Sequence, residues 1–298
     1  MRSGSPHATF DGDAGMRIGL LLDRPLGDPL SPVINQFAGE LSKRNCDIVC
    51  LLPSVDFIDL GGLAADCDFY VSKACTDALL ALTGILHDRG AHIFNSFAAS
   101  CYVRDKARVT AALMAAGIPV PNSCIAGNAM RARAGLGAAS VIFKPIRGTK
   151  GQGIQIAERD EDLRGIDGGP HFAQTYDTIG DDDIKVYVIG DEVFTVRRQP
   201  PVGAVQKLDG QCCPCSVEIR DIARSISRLF DLDVCGIDIV ETSRGLAVVD
   251  VNSFPRFVGV PYAAERLADC ILARASRRLA SRGRPRAQRM SESVAAFL

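Results

Sequence analysis

The chain has 298 residues, long enough for two domains, and its 34 basic and 35 acidic residues leave a formal charge of -1. That balance gives no reason to expect nucleic-acid or membrane partners, and no apolar run approaches the roughly 20 residues that span a bilayer. Residues 1–15 lack the apolar core of a signal peptide, and the cysteines, 11 in number, are odd in count with several inside apolar segments (Cys50, Cys235, Cys270), which together predict a cytoplasmic protein with reduced, buried thiols.

Residues 16–23, MRIGLLLD, follow a polar extension (1–15) and predict the first buried strand of an α/β sheet. In SPVINQFAGELSKRN, Ser31 is a cap candidate, Pro32 suits the first helical turn, and apolar residues keep helical spacing to Leu41. Strand-like runs at 47–52, 68–71 and 92–95, with a helical pattern at 77–87, complete a parallel-sheet domain over residues 16–101. Asn95 and Ser96 end its last strand, the place where ligands of open α/β sheets bind. An Ala-rich helix over 104–116, closed by Gly117, opens a second unit over 102–280 with lobes at 102–173 and 174–280.

In that unit SVIFKPIRGTKGQGIQIAE carries two β-type runs around a loop with Gly148, Gly151 and Gly153, and Lys144 is the one charge in the first run. Such a turn lets backbone N–H groups approach phosphate oxygens while the lysine supplies a point charge; its bland alternative is an ordinary exposed turn. HFAQTYD predicts a short strand, and Gly190-Asp191 turns a hairpin between KVYVI and EVFTVRR. Residues 200–215 show no periodicity and read as a loop; Cys212, Cys213 and Cys215 there lack a second Cys/His pair at zinc-site spacing. Residues 216–230 return to helical spacing, 262–279 form a last helix, and a basic tail follows over 281–298.

GIDIVETSRGLAVVDVNSFPRFVG reads as two apolar strands joined at Ser243-Arg244-Gly245 and interrupted by acids. Asp250 and Asn252, two apart on one strand, share a face, and the fold-back brings Asp238 beside them. Hard oxygen ligands in this number suit Mg²⁺ held jointly with nucleotide phosphates; the alternative is a hairpin whose acids are merely solvated.

Taken in order, Lys106, Lys144 with its Gly-rich loop, a hinge segment and the Asp...Asp-x-Asn cluster resemble the ATP-grasp superfamily over residues 16–279. FKPIRGTKGQGI, IKVYVIGDEVFTVRR and GIDIVET...DVNSFP look most like its RimK-type amino-acid ligases, and the FP of DVNSFP is also similar to the inositol-phosphate kinase branch. The resemblance implies an α/β N-terminal parallel-sheet domain before an α+β ATP-grasp part, with ATP and Mg²⁺, or Mn²⁺, as cofactors. By it, Lys106 and Lys144 contact phosphates, Gly148, Gly151 and Gly153 close over them, Gln174, Thr175 and Tyr176 line the adenine hinge, and Asp183 takes the ribose. Asp238, Asp250 and Asn252 hold the metal. The chain departs from the pattern in having Thr175 where a Glu is common, no Arg-Ser-Asn clamp after Arg198, and Arg256 where many relatives have Gly.

The activity implied is an ATP-dependent carboxylate–amine ligase acting through an acyl phosphate on small-molecule or peptide substrates. Arg198 and Arg256 are the expected catalytic residues, because a planar guanidinium can grip both a carboxylate and a phosphoryl group. An inositol-phosphate-type kinase and a non-catalytic nucleotide-binding scaffold stand as alternatives, and neither substrate identity nor oligomeric state leaves a mark in the sequence.

Overall fold

The computed structural model describes residues 15–73, 75–148, 151–166, 170–179, 183–198 and 210–282. The apolar runs of the first hundred residues become β1 (Arg17–Leu21), β2 (Asp47–Leu51), β3 (Phe69–Ser72) and β4 (Ile93–Phe94), a parallel sheet in the order β2-β1-β3-β4. Between them run α1 (Pro32–Lys43) and α2 (Asp77–Asp88). α1 buries Ile34, Phe37, Ala38 and Leu41, the one stripe that 3.6-residue spacing brings together. Pro32 occupies its first turn as expected, but the Ser31 side chain makes no capping bond.

Two short helices connect to the second unit. α3 (Phe97–Val103), hidden in sequence because seven residues give too few turns to show a period, is capped by Ser96; α4 (Lys106–Ala115) starts after its own cap, Asp105. The helix expected over 104–116 is α4, with α3 an additional helix before it that ends at Arg104. Asn95 does not end its strand at a ligand. It is buried, donating to Val234 O (2.7 Å) and accepting from Asp233 N (3.1 Å), and so clamps the first sheet to the rest of the chain.

β5 (Ser123–Ala126), α5 (Ala129–Leu136), β6 (Val141–Lys144), β7 (Gln155–Ala157) and β8 (His171–Thr175) make a small antiparallel sheet, order β5-β8-β6-β7. β8 pairs with β5 and β6 along its whole length and so runs across the boundary expected at 173/174. β9 (Asp183–Ile189), β10 (Glu192–Arg198), β11 (Gln211–Cys213), β12 (Val234–Thr242) and β13 (Gly245–Asn252) make the larger sheet, order β11-β10-β9-β12-β13. β11 corrects the reading of 200–215 as loop throughout: three residues are too short for a visible alternation, yet they pair with β10. Residues 201–209 lie outside the described ones.

α6 (Val217–Phe230) covers one face of the larger sheet with Ile219, Ile222, Ala223 and Ile226, against Val186, Ile237 and Val251. α7 (Ala263–Arg282) lies with α1 on the other, where Leu267 and Ile271 join Tyr187, Val196 and Val234 in one core with Ile18 and Phe37 of the first sheet's layer. α7 also runs two residues into the segment expected as tail, and the rest of that segment is outside the described residues. The larger sheet is thus locked from both sides, while the small sheet has a separate core of Ala129, Ala132, Val141, Phe143, Ala157, Leu163 and Ala173.

Candidate active site

The register of the larger sheet decides what faces the gap between the two sheets. Lys185 on β9 pairs with Asp238 on β12, and Asp238 pairs with Asp250 on β13, so three charged side chains form one cross-strand row. Immediately beyond that row the pairing slips: Ile239 opposes Val248, and Val249 is an extra residue in the strand. This β-bulge changes the phase of β13. Val248 and Val251 both reach the core under α6, whereas Asp250 and Asn252 face the gap. The bulge also presents the Val249 carbonyl to Lys144 Nζ at 3.3 Å.

A cavity of about 1100 Å³ runs between the sheets and on to the carboxyl ends of β1 and β3. Of the residues expected at the site, Lys106, Lys144, Gly148, Gly151, Gln174, Thr175, Tyr176, Asp183, Asp238, Asp250, Asn252 and Arg256 all line it. Gly153 stands behind the turn, where an added Cβ would meet Pro145 Cγ at 2.8 Å. Arg198 closes β10 opposite Asp183, and its side chain lies outside the described residues, as do Thr149 and Lys150 of the Gly-rich turn.

Each cation is positioned by its element. Lys106 is the first residue of α4, tied by its backbone N–H to Ile146 O (3.0 Å), and its ammonium bonds Asp250. Lys144, at the end of β6, donates to Gln174 Oε1 (2.7 Å), and Gln174 in turn donates to Ser123 Oγ (3.0 Å). Gln174, expected along the adenine hinge, is buried and acts on the lysine instead. Packing strips water from Lys144 and pushes its pKa down to about 8, against the upward pull of Asp250; Lys106 lowers it further.

Lys185 was not anticipated. Its ammonium stands 2.8 Å from Asp238 Oδ1, off the direction a hydrogen bond requires, so that buried oxygen accepts none. The signal was there in DIKVYVI: a lysine two residues after Asp183 on a strand points the way Asp183 points.

Arg256 is aimed by its neighbours. Phe254 and Phe257 are buried edge to face with centroids 5.6 Å apart, and Phe257 also packs on Tyr187. Phe257 holds φ at +53°, a left-handed backbone that only such packing sustains in a residue with a large side chain. Pro255 lies over Gly236, where a Cβ would meet the ring at 2.8 Å. The turn between the two rings therefore presents Arg256 to the cavity, and no described residue pairs with it. Further along, Arg24 pairs with Asp28 (2.9 Å), Arg104 with Asp77 (2.7 Å) and Lys73 with Asp23 (3.8 Å).

The oxygen set fits a hard cation. Asp238 offers a buried oxygen without a hydrogen bond, and Asn252 donates its amide N–H to Asp250 Oδ2 (3.3 Å), leaving its carbonyl oxygen as a donor atom. No cluster of three or more His, Cys, Asp or Glu fit for a metal occurs among the described residues, which includes Cys212, Cys213 and Cys215.

Two sheets enclose one cavity whose lining carries Lys106, Lys144, Lys185 and the carboxylates of Asp238 and Asp250. The family model described as RimK-like ATP-grasp domain matches residues 103–271, more than half of the chain, and the chain belongs to that family. A probable alpha-L-glutamate ligase of Haemophilus influenzae is 30% identical over 186 residues, covering 56% of this chain and 60% of the relative. The chain thus spans less than two thirds of the length of that relative. A D-alanine–D-alanine ligase from Bacillus anthracis complexed with ATP superposes with a TM-score of 0.70 at 16% identity, covering 90% of this chain and 100% of the other. The ATP-grasp ligase PsnB complexed with a minimal precursor, Mg and ADP gives 0.64 at 19% identity, covering 91% and 100%. At such identities these two share the fold, which is the ATP-grasp fold expected from the motifs.

Proposed function

We propose that the chain is a carboxylate–amine ligase that uses ATP and Mg²⁺ and works through an acyl phosphate, releasing ADP and phosphate. The observation that carries this reading is the row Lys185, Asp238, Asp250, with Asn252 beside it, facing Lys106 and Lys144 in one cavity. Membership of the RimK-like family and the name of the Haemophilus relative support the same chemistry. In this reading residues 16–101 are an N-terminal domain and 102–280 the ATP-grasp part, at work in the cytoplasm; the free state of all 11 cysteines suits a reducing compartment.

Lys106 and Lys144 hold the phosphates, and the turn with Gly148, Gly151 and Gly153 covers them with backbone N–H groups. Thr175 and Tyr176 border the adenine, Asp183 takes the ribose, and Gln174 positions Lys144. Asp238, Asp250 and Asn252 would hold Mg²⁺, or Mn²⁺ in its place, which would supply charge neutralisation for phosphoryl transfer. Arg256, with Arg198, grips the carboxylate and steadies the acyl phosphate. A kinase for polyphosphorylated inositols is disfavoured because Arg24, Arg104 and Lys73 each already face a carboxylate, which leaves that end without a concentrated basic pocket.

Hydroxylamine separates the readings. With the correct small-molecule or peptide carboxylate present it should intercept an acyl phosphate and give a hydroxamate with free phosphate. Stable phosphorylated product from γ-labelled ATP, with no hydroxamate, would overturn the ligase reading and promote the kinase.

A further inference from the structure

Away from the carboxylate row, the cavity ends where α1 begins, and its lining there is Asp23, Arg24, Leu30, Ser31, Lys73 and Cys75. Ser31 is the N-cap of the 12-residue α1, yet its hydroxyl makes no capping bond, although the residue is buried (7% exposed) and lines the cavity. The helix leaves two more donors unmet. Its first internal bond runs from Asn35 N to Ser31 O (3.1 Å), Pro32 has no N–H, and no acidic residue stands in the first turn, so the Val33 and Ile34 amides point out of the helix end with no partner among the described residues. Lys73 brings an ammonium to the same place. It is 8% exposed and lies 3.8 Å from Asp23, too far for a hydrogen bond, so its charge is answered while its N–H donors find no acceptor among the described residues. The loop before the helix is pinned: Asn35 accepts from Gly27 N (2.9 Å) and donates to Asp28 O (2.9 Å), and the Asp28 carboxylate accepts from Arg24 (2.9 Å) and Leu30 N (2.7 Å).

We propose that Ser31, the Val33 and Ile34 amides and Lys73 form a subsite for a substrate carboxylate other than the one that is activated. The inference rests on the ligase reading above. A helix N-terminus favours an anion, and the separate observation is that a buried hydroxyl and a buried ammonium at the same place lack hydrogen-bond partners, which costs free energy until a ligand supplies them. A carboxylate has the acceptors to do so: two oxygens with about four lone-pair sites, enough for the hydroxyl, the two amides and the ammonium. Charge sets the class of group. Arg24 and Lys73 stand against Asp23 and Asp28, two cations and two anions, so this end of the cavity has no net charge and attracts through dipoles and open donors. One negative charge suits it. A phosphate dianion would meet Asp23, the acid that lines the cavity here, with no cation to spare. The substrates therefore include one with a second carboxylate, carried either by the amine, as in an amino acid, or by the acid that is activated, as in a dicarboxylic acid.

Ser31→Asp separates this role from a structural one, because stability and substrate binding should move in different directions. Aspartate is a strong N-cap and suits the helix dipole, so the melting temperature should stay at or above that of wild type, while its charge takes the place of the substrate carboxylate. In ADP-release assays Ser31→Asp should raise the KM of the substrate bearing that carboxylate by roughly tenfold or more, with ADP affinity by calorimetry unchanged. Amino acids are assayed beside their carboxamides, and dicarboxylic beside monocarboxylic acids. A KM raised for the amino acid and not its carboxamide assigns the group to the amine; one raised for the dicarboxylic acid alone assigns it to the activated substrate. Glutarate titrated into isotope-labelled protein, at an ionic strength held with chloride, should shift the Val33 and Ile34 amide signals saturably in wild type and not in Ser31→Asp. Ser31→Ala, which removes only the hydroxyl, makes the same test with a smaller effect if the aspartate variant does not fold. An unchanged KM for every substrate in the folded variant, or Val33 and Ile34 amides indifferent to glutarate, would overturn the proposal alone. Stable phosphorylated product with no hydroxamate would overturn the ligase reading, and this assignment with it.

Discussion

The two sheets that face each other across the cavity are built to different depths. The larger one is covered on both faces, with Tyr187, Val196 and Val234 packed under α7 and Val186, Ile237 and Val251 packed under α6. The small one has a separate core on one face in which alanines predominate and Phe143 is the largest side chain, its other face borders the cavity through Ile142, Lys144 and Gln174, and near its edge Ile154 and Ile156 are about two-fifths exposed (41% and 42%). The difference sorts the chemistry. Groups whose mutual geometry must hold to fractions of an ångström (Asp238, Asp250, Asn252, Lys185) stand on the doubly covered sheet. The groups proposed to close over a nucleotide (Lys144, Gly148, Gly151) come from the thinner one, where opening would expose little apolar surface.

The largest effect expected is at the rigid side. Asp250→Ala removes the partner of Lys106 and, on the proposed reading, a metal ligand with it, and should lower ADP release by about a thousandfold or more while the melting temperature stays near that of wild type. ATP turnover at the wild-type rate in that variant would remove the carboxylate row from the mechanism.

The depth of the two cores can be compared directly by truncation. Phe257→Ala, in the core shared with α7 and the first sheet, should lower global stability by about 3–5 kcal/mol in urea unfolding. Phe143→Ala should act locally: amides of 123–175 exchange faster and the KM for ATP rises, while the main unfolding transition moves less. If both variants shift one transition equally, the small sheet is not the separately yielding side.

What could be read in the sequence follows the same division. Strands and helices with full periods stood out, among them β1, α1, α6 and the β12–β13 hairpin, because a buried face on a long element repeats often enough to be seen. So did Lys144, Asp238 and Asp250, which interrupt apolar runs and line the cavity. α3 and β11 were missed because they are shorter than the period that would reveal them. Lys185 was missed although DIKVYVI places it on the face of Asp183; that it opposes Asp238 lies in register, which no local pattern states. Asn95 likewise owes its role to Val234, 139 residues away.

A smaller effect tests the electrostatics of the thin side. With its pKa brought down from 10.5 to about 8 by burial, Lys144 is an ammonium below pH 8 and increasingly neutral above it. Phosphate binding favours the ammonium, so ATP affinity should be flat below pH 8 and weaken as pH rises past it, and Lys144→Arg should abolish that dependence because arginine stays charged. Stability should move the other way. Between about pH 8 and 10.5 the unfolded chain binds the proton that the folded chain has lost, so this group's contribution to stability rises with pH across that window. ATP affinity that does not change between pH 7 and 9 would show that Lys144 keeps its proton, or that it does not meet the phosphates.

The smallest effect belongs to the turn itself. Gly151 has φ +72°, and the nearest atom to an added Cβ is Ile154 Cδ1 at 3.9 Å, so a side chain there meets backbone strain rather than a clash. A β-branched residue resists that conformation by roughly 1–2 kcal/mol, and an exposed turn relieves the strain by moving instead of unfolding the lobe. Moving the turn re-aims its N–H groups, the proposed contribution of the turn to phosphate binding. Gly151→Val should therefore weaken ATP by about three- to tenfold by calorimetry, while the melting temperature changes by no more than about 2 °C. Gly151→Ala, less restricted at χ1 though still at positive φ, should fall between the two. A loss of thermal stability as large as that of Phe143→Ala would instead mean that this turn supports the small sheet, and that the thin side ends at its core rather than at its rim.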